Sequence, residues 1–168
     1  LIAKNKYAAQ QLERQRANHT LSRVYLALAE GHWTNKSKSC LIDRPIEKVP
    51  ECFNRYQVAD TGRPSRTEYE VLSEFTYEET PFSLVRLKLQ TGRTHQIRVH
   101  MASLSHPLLG DSIYGHEGFL GFDRAALHSF EITCQLPGHQ DLAVFSSEMP
   151  EDFQKMIAKS INFSSTLI

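Results

Sequence analysis

Residues 90–115 read QTGRTHQIRVHMASLSHPLLGDSIYG, and the rest of the chain is organised around them. The stretch opens on a turn at Thr91-Gly92, packs Arg93, His95, Gln96, Arg98 and His100 into one short span, and closes on a loop marked by proline and glycine. Long polar side chains at this density are costly to bury alone, so they must face water, a charged ligand or a buried partner. Ile97, Met101 and Leu104 recur at i, i+4 and i+7, which predicts a short helix with one apolar face. Thr94 is its expected N-cap. Arg98 falls at the edge of the apolar stripe, from which its guanidinium can reach inward to a buried carboxylate. Its planar fork suits a carboxylate or phosphate better than a lysine would. The residues alone thus describe an anion-facing site, with a surface helix carrying ordinary salt bridges as the plainer alternative.

Upstream, residues 67–77 and 82–90 predict two strands joined by a turn at Glu78–Pro81, with Val85, Leu87 and Leu89 on one face and Arg86 and Lys88 on the other. This hairpin aims the polar helix. Further back, SRVYLALAEG (residues 22–31) alternates Val24, Leu26 and Leu28 with Tyr25, Ala27 and Ala29, which predicts a strand. Tyr25 then lies opposite the Val/Leu row, with small alanines leaving room beside its ring, although strand tyrosines are common. Residues 5–18 are rich in helix formers and should fade near Asn18-His19. Residues 31–66 read as loops with short strand pieces and a turn at Gly62 and Pro64. Downstream of Gly115, a glycine-rich loop leads into a strand over residues 124–137 whose alternation breaks near His128-Ser129, predicting a bulge. LAVFS (142–146) is a further strand. A last helix over residues 150–161 carries acids first and lysines later, matching the macrodipole, with Phe153, Met156 and Ile157 as its core stripe.

At 168 residues, 40% hydrophobic and 23% charged, the chain has the composition of one soluble globular domain. It shows neither a bilayer-length apolar run nor a secretory signal. Nineteen Lys+Arg balance nineteen Asp+Glu, but unevenly along the chain. Residues 4–23 hold Lys4, Lys6, Arg14, Arg16 and Arg23 against Glu13 alone, and residues 86–100 hold Arg86, Lys88, Arg93 and Arg98 with no acid. A basic face on a neutral protein is a cue for RNA, compatible with many other roles. Cys40, Cys52 and Cys134 are odd in number and widely spaced, as expected of reduced thiols in the cytosol. His95, His100 and His106 are not spaced to share a helix face, so no metal site is expected. Hydrolase, P-loop and dinucleotide motifs are missing, and no glycosidase-like carboxylate pair stands out.

TGRTHQIRVH followed by HPLLGDSIYG closely resembles the most diagnostic segment of the RluA family of RNA pseudouridine synthases. Two further segments agree in order: SRVYLALAEG resembles the family's strand carrying its active-site tyrosine, and GRPSRTEYEV (residues 62–71) the segment before its central hairpin. The resemblance implies an α+β fold, a mostly antiparallel mixed sheet with flanking helices. It implies an isomerase that converts uridine to pseudouridine in rRNA or tRNA without a cofactor, breaking the N-glycosidic bond, turning the uracil and rejoining it through carbon. A base must leave its stack for such chemistry, which suits an aromatic platform beside a basic face. Arg98 matches the arginine that pairs with the family's nucleophilic aspartate. Tyr25 matches the tyrosine that stacks on the target base and has been given a proton-transfer role. Leu127 matches a leucine of the uracil pocket, and Arg93, His95 and Gln96 are expected near the RNA backbone or flipped nucleotide.

The family's nucleophile stands in a His-Arg-Leu-Asp segment, followed by Thr-Ser-Gly and a strand. That segment is absent, and Leu1-Ile2-Ala3 reads like the end of the strand that follows it. Residues 1–168 are therefore expected to be a partial pseudouridine synthase catalytic domain, lacking the segment with the nucleophile and inactive alone. Ser105 sits where the family commonly has glycine. RNA is the expected partner, without membrane or metal, and the expected state is a cytoplasmic monomer. The alternative is a catalytically dead RNA-binding module of the same fold. A basic-faced protein-interaction domain, the third reading, would show no salt-dependent RNA affinity.

Overall fold

The computed structural model describes residues 1–33 and 37–166, with side chains in the last helix described through Ile161. In chain order the elements are α1 (Lys6–Ala17), β1 (Ser22–Glu30), β2 (Ser39–Asp43), β3 (Ile46–Lys48), β4 (Tyr56–Val58), β5 (Arg66–Tyr77), β6 (Thr80–Leu89), α2 (Gln96–Ser103), β7 (Leu127–Gln135), β8 (Leu142–Ser146) and α3 (Glu151–Thr166). Six strands form one sheet in the order β2-β5-β6-β1-β7-β8, while β3 and β4 pair separately. The α+β class is as expected, and every strand pairing among the described residues is antiparallel. The short strand pieces expected among the loops of residues 31–66 are β2, β3 and β4; positions 34–36 lie outside the described residues.

Strand alternation gives the sheet two apolar faces. Ala27, Ala29, Tyr69, Val71, Val85 and Leu87 face one side, where Ile97 and Met101 of α2 and the following Leu108 cover them. Leu26, Leu28, Phe82 and Leu84 face the other, under Phe153 and Met156 of α3. Each fully buried Val, Leu, Ile, Phe or Met side chain among them contributes about 1.5–3 kcal/mol. These contacts hold α2 against the sheet despite its crowded polar residues. Among the described residues, no helix is long and apolar enough to cross a membrane.

Three local departures shape the site. Glu78 and Glu79 both take positive φ (47° and 64°), making a tight two-residue turn between Tyr77 and Thr80, so Pro81 joins the strand. Val24 faces Glu131 while the next residue, Tyr25, faces Ser129, leaving Phe130 as the extra residue of a bulge just past the predicted break. Finally, Glu30 N donates to Pro107 O, Leu109 N to Leu28 O and Ala126 N to Leu109 O. Residues 107–109 thus run beside the end of β1, and the chain leaving them returns Asp111 to α2.

Candidate active site

The Thr91-Gly92 turn is tied down from below by Gln96, which is only 2% exposed. Its Oε1 accepts from Thr91 Oγ1 at 2.8 Å and Arg93 N at 3.0 Å. Its Nε2 donates to Arg66 O at 2.9 Å and Thr67 Oγ1 at 3.0 Å. Gln96 was expected near RNA; the structure buries it with both ends of its amide engaged, so it positions the turn. Behind it, His100 Nε2 lies 2.9 Å from Arg44 O, which only accepts, so Nε2 carries the proton and Nδ1 accepts from Thr67 Oγ1 at 2.9 Å. Burial lowers the His100 pKa from its ordinary value, with the Arg44 carbonyl pulling the other way. Thr94 does not cap α2. His95 occupies the N-cap in the left-handed conformation (φ 55°) without a side-chain cap bond, because the chain must reverse out of the turn.

Arg98 reaches inward from the edge of the apolar stripe, as its position predicts, and the carboxylate it meets is Asp111. Nε donates to Oδ2 at 2.7 Å and Nη2 to Oδ1 at 2.6 Å, a bidentate fork. Asp111 Oδ1 also accepts from the amides of Ile113 at 3.0 Å and Tyr114 at 3.1 Å. Burial alone would raise the Asp111 pKa; Arg98 and the two amides outweigh it and hold the carboxyl below its ordinary value. The same hydrogen bond raises the Arg98 pKa, so the pair is ionised.

Around this pair sits an aromatic collar. The Arg98 guanidinium lies 5.0 Å from the centre of the Tyr114 ring. His95 Nε2 is 3.2 Å from Arg98 Nη1, and its Nδ1 is 3.0 Å from Tyr114 Oη. Arginine can only donate, so His95 is neutral with its proton on Nδ1. Burial first, then the Arg98 charge, lowers its pKa accordingly. Tyr114 Oη also accepts from Tyr56 N at 2.9 Å, which couples the collar to the β3–β4 ladder.

Tyr25 and Leu127 pack at the rim of the apolar cluster under α2, and Leu127 stands opposite Ala27, two residues along β1 from Tyr25. The sequence-predicted residues thus fall into three places. Arg98 and His95 share the ionic centre, Tyr25 and Leu127 share the sheet face beneath α2, and Gln96 lies under the turn. Arg93 is half-buried, its Nε 3.4 Å from Pro64 O, between two cavities of about 440 and 220 Å³. Sequence reasoning missed Asp111, Tyr114 and Tyr56. Asp111 and Tyr114 stand three apart, the spacing at which an aspartate caps its own turn.

Known proteins resemble this chain in sequence and in fold. Residues 1–103 match the RNA pseudouridylate synthase family. Ribosomal large subunit pseudouridine synthase D of Nitrosomonas europaea is 34% identical over 165 residues, covering 94% of this chain and 46% of that protein. An uncharacterized RNA pseudouridine synthase of Bacillus subtilis, YhcT, is 38% identical over 156 residues, covering 93% and 50%. The chain therefore spans about half the length of the curated relatives it matches. Among solved structures, human RNA pseudouridylate synthase domain containing 1 superposes with a TM-score of 0.71 at 30% identity, covering 87% of this chain and 62% of that one.

Proposed function

The chain belongs to the RNA pseudouridylate synthase family, and on that premise we propose that it is part of an enzyme that isomerises uridines of rRNA or tRNA to pseudouridine without a cofactor. The observation that carries this reading is the Arg98 fork, fixed by Asp111 on the sheet face that also holds Tyr25 and Leu127. Arg98 uses three of its five N–H groups on Asp111 and His95. The remaining two are free to hold a second carboxylate ionised and in place, the role of the family's arginine toward its nucleophilic aspartate. Tyr25 stacks on the flipped uracil, Leu127 lines its pocket, and Arg93 and His95 meet the nucleotide or its phosphates. The reaction is assigned to a protein that supplies the His-Arg-Leu-Asp segment together with this chain; residues 1–168 alone bind without turning over.

The test is pseudouridine formation in rRNA and tRNA by the full-length protein, its Arg98→Lys variant and the 168-residue chain. Full-length protein makes pseudouridine, and Arg98→Lys lowers turnover by about a hundredfold or more. Wild-type turnover in Arg98→Lys removes Arg98 from the mechanism. Turnover by the 168-residue chain means that an aspartate inside it is the nucleophile. Salt-dependent RNA binding without pseudouridine from the full-length protein overturns the reading in favour of a catalytically dead RNA-binding module.

A further inference from the structure

The two basic clusters of the sequence, far apart along the chain, meet at the end of β6. His19 Nδ1 donates to Gln90 O at 2.9 Å, and Arg23 Nη2 donates to Thr91 O at 3.2 Å. Gly92 lies so flat on the Arg23 guanidinium that an added Cβ would stand 2.8 Å from Nη1. These contacts close a cleft of about 220 Å³ lined by Arg16, Arg23 and Arg93, with Glu13 as its one carboxylate. A neighbouring cavity of about 600 Å³ shares His19, Gln90 and Thr91 with it and adds Arg66, Lys88 and Glu68. Five cations thus face two carboxylates on a protein whose net charge is zero.

Only two of these cations have a carboxylate partner. Arg66 pairs with Asp43, and Arg16 with Glu13 at a loose 3.7 Å. No carboxylate of the described residues pairs with Arg23, Lys88 or Arg93, and the buried Arg23 Nε has no hydrogen-bond partner. A trough in which Arg23, Lys88 and Arg93 lack a carboxylate partner, interleaved with backbone carbonyls already engaged, attracts a chain of anions at a regular spacing. We propose that this trough holds consecutive phosphates of a single RNA strand, with Arg93 joining it to the α2 site. RNA as the occupant rests on the proposed function; the charge geometry stands without it.

Arg16 and Lys88 are exposed, so Arg16→Gln and Lys88→Gln test the trough without disturbing the core. The measurement is affinity of the full-length protein for a uridine oligonucleotide across a salt series, with thermal unfolding as the control for folding. Each substitution should lower the slope of log affinity against log salt by about 0.7, and the pair by about 1.4. Lys155→Gln, on α3, should leave it unchanged. An unchanged slope in the double variant overturns the trough, as does an equal loss in Lys155→Gln. Pseudouridine formation separates the two readings. A normal slope with turnover removes the trough alone, and a reduced slope with no turnover in wild type removes the enzyme alone.

Discussion

Arg98 and Asp111, thirteen residues apart, meet through two parallel hydrogen bonds, with the carboxylate fully buried and the arginine side chain 18% exposed. A fork this enclosed fixes the guanidinium plane, and everything assigned to Arg98 depends on that plane. Removing one partner leaves the other charge stranded. Asp111→Asn should therefore cost about 3 kcal/mol in urea unfolding. The double variant Arg98→Met with Asp111→Leu should recover most of that stability while staying inactive. If it stays as unstable as Asp111→Asn, the pair is not the origin of the loss.

Two glycines near the site should behave differently on substitution. An added Cβ at Gly110 would stand 2.5 Å from the backbone oxygens of Phe122 and Arg124, and its φ of +68° already disfavours other residues. Gly110→Ala should cost at least about 2 kcal/mol and abolish turnover, since Asp111 follows directly. At Gly92 the obstacle is the end of the Arg23 side chain, which can move. Gly92→Ala should lose less stability but show weaker RNA binding. Equal melting losses would contradict this difference.

Gln96→Leu keeps the size but strands the groups that Gln96 serves, at roughly 1–3 kcal/mol for each buried group left unsatisfied. Its local signature is hydrogen exchange. The amide of Arg93, now bonded to Gln96 Oε1, should exchange much faster in the variant, while amides of α3 should not. Unchanged protection at Arg93 would mean that the turn holds itself.

Acid should weaken the fold before the carboxylates titrate. His95 and His100 both have folded pKa values below their ordinary value near 6.5, so the unfolded chain binds more protons than the folded one just below that pH. Their contribution is complete above pH 6.5 and falls as pH falls, by at most about 1.4 kcal/mol per pH unit for each group. Urea midpoints between pH 7.5 and 5 should drop accordingly, and the drop should flatten in His100→Gln. A flat wild-type profile would show that neither histidine is held neutral.

The strands and the apolar face of α2 were legible because their signals are local. Val24, Leu26 and Leu28 alternate within a few residues, and Ile97 and Met101 are one helical turn apart. Arg98 was legible as an inward-turning cation, but Asp111 was not, since nothing near Arg98 in sequence marks which carboxylate the loop returns. Gln96 was misplaced for a similar reason. Its neighbours Arg93 and His95 are half-exposed, and only the meeting of α2 with Arg66 and Thr67 buries it. The left-handed His95 likewise depends on how the turn enters the helix, which outweighs the local preference of Thr94 for a cap.

The place of β1 in the sheet has a consequence for synthesis. It sits between β6 and β7, both made after it, whereas β5 and β6 close on each other through two residues. As the polypeptide emerges, β1 waits with both edges open until β6 arrives, and with one edge open until Leu127 follows. At about 5–20 residues per second that second wait, from Leu89 to Leu127, lasts roughly 2–8 s. β1, whose buried run of four residues is matched only by that of β6 among the described strands, is thus the strand that must wait for partners on both sides.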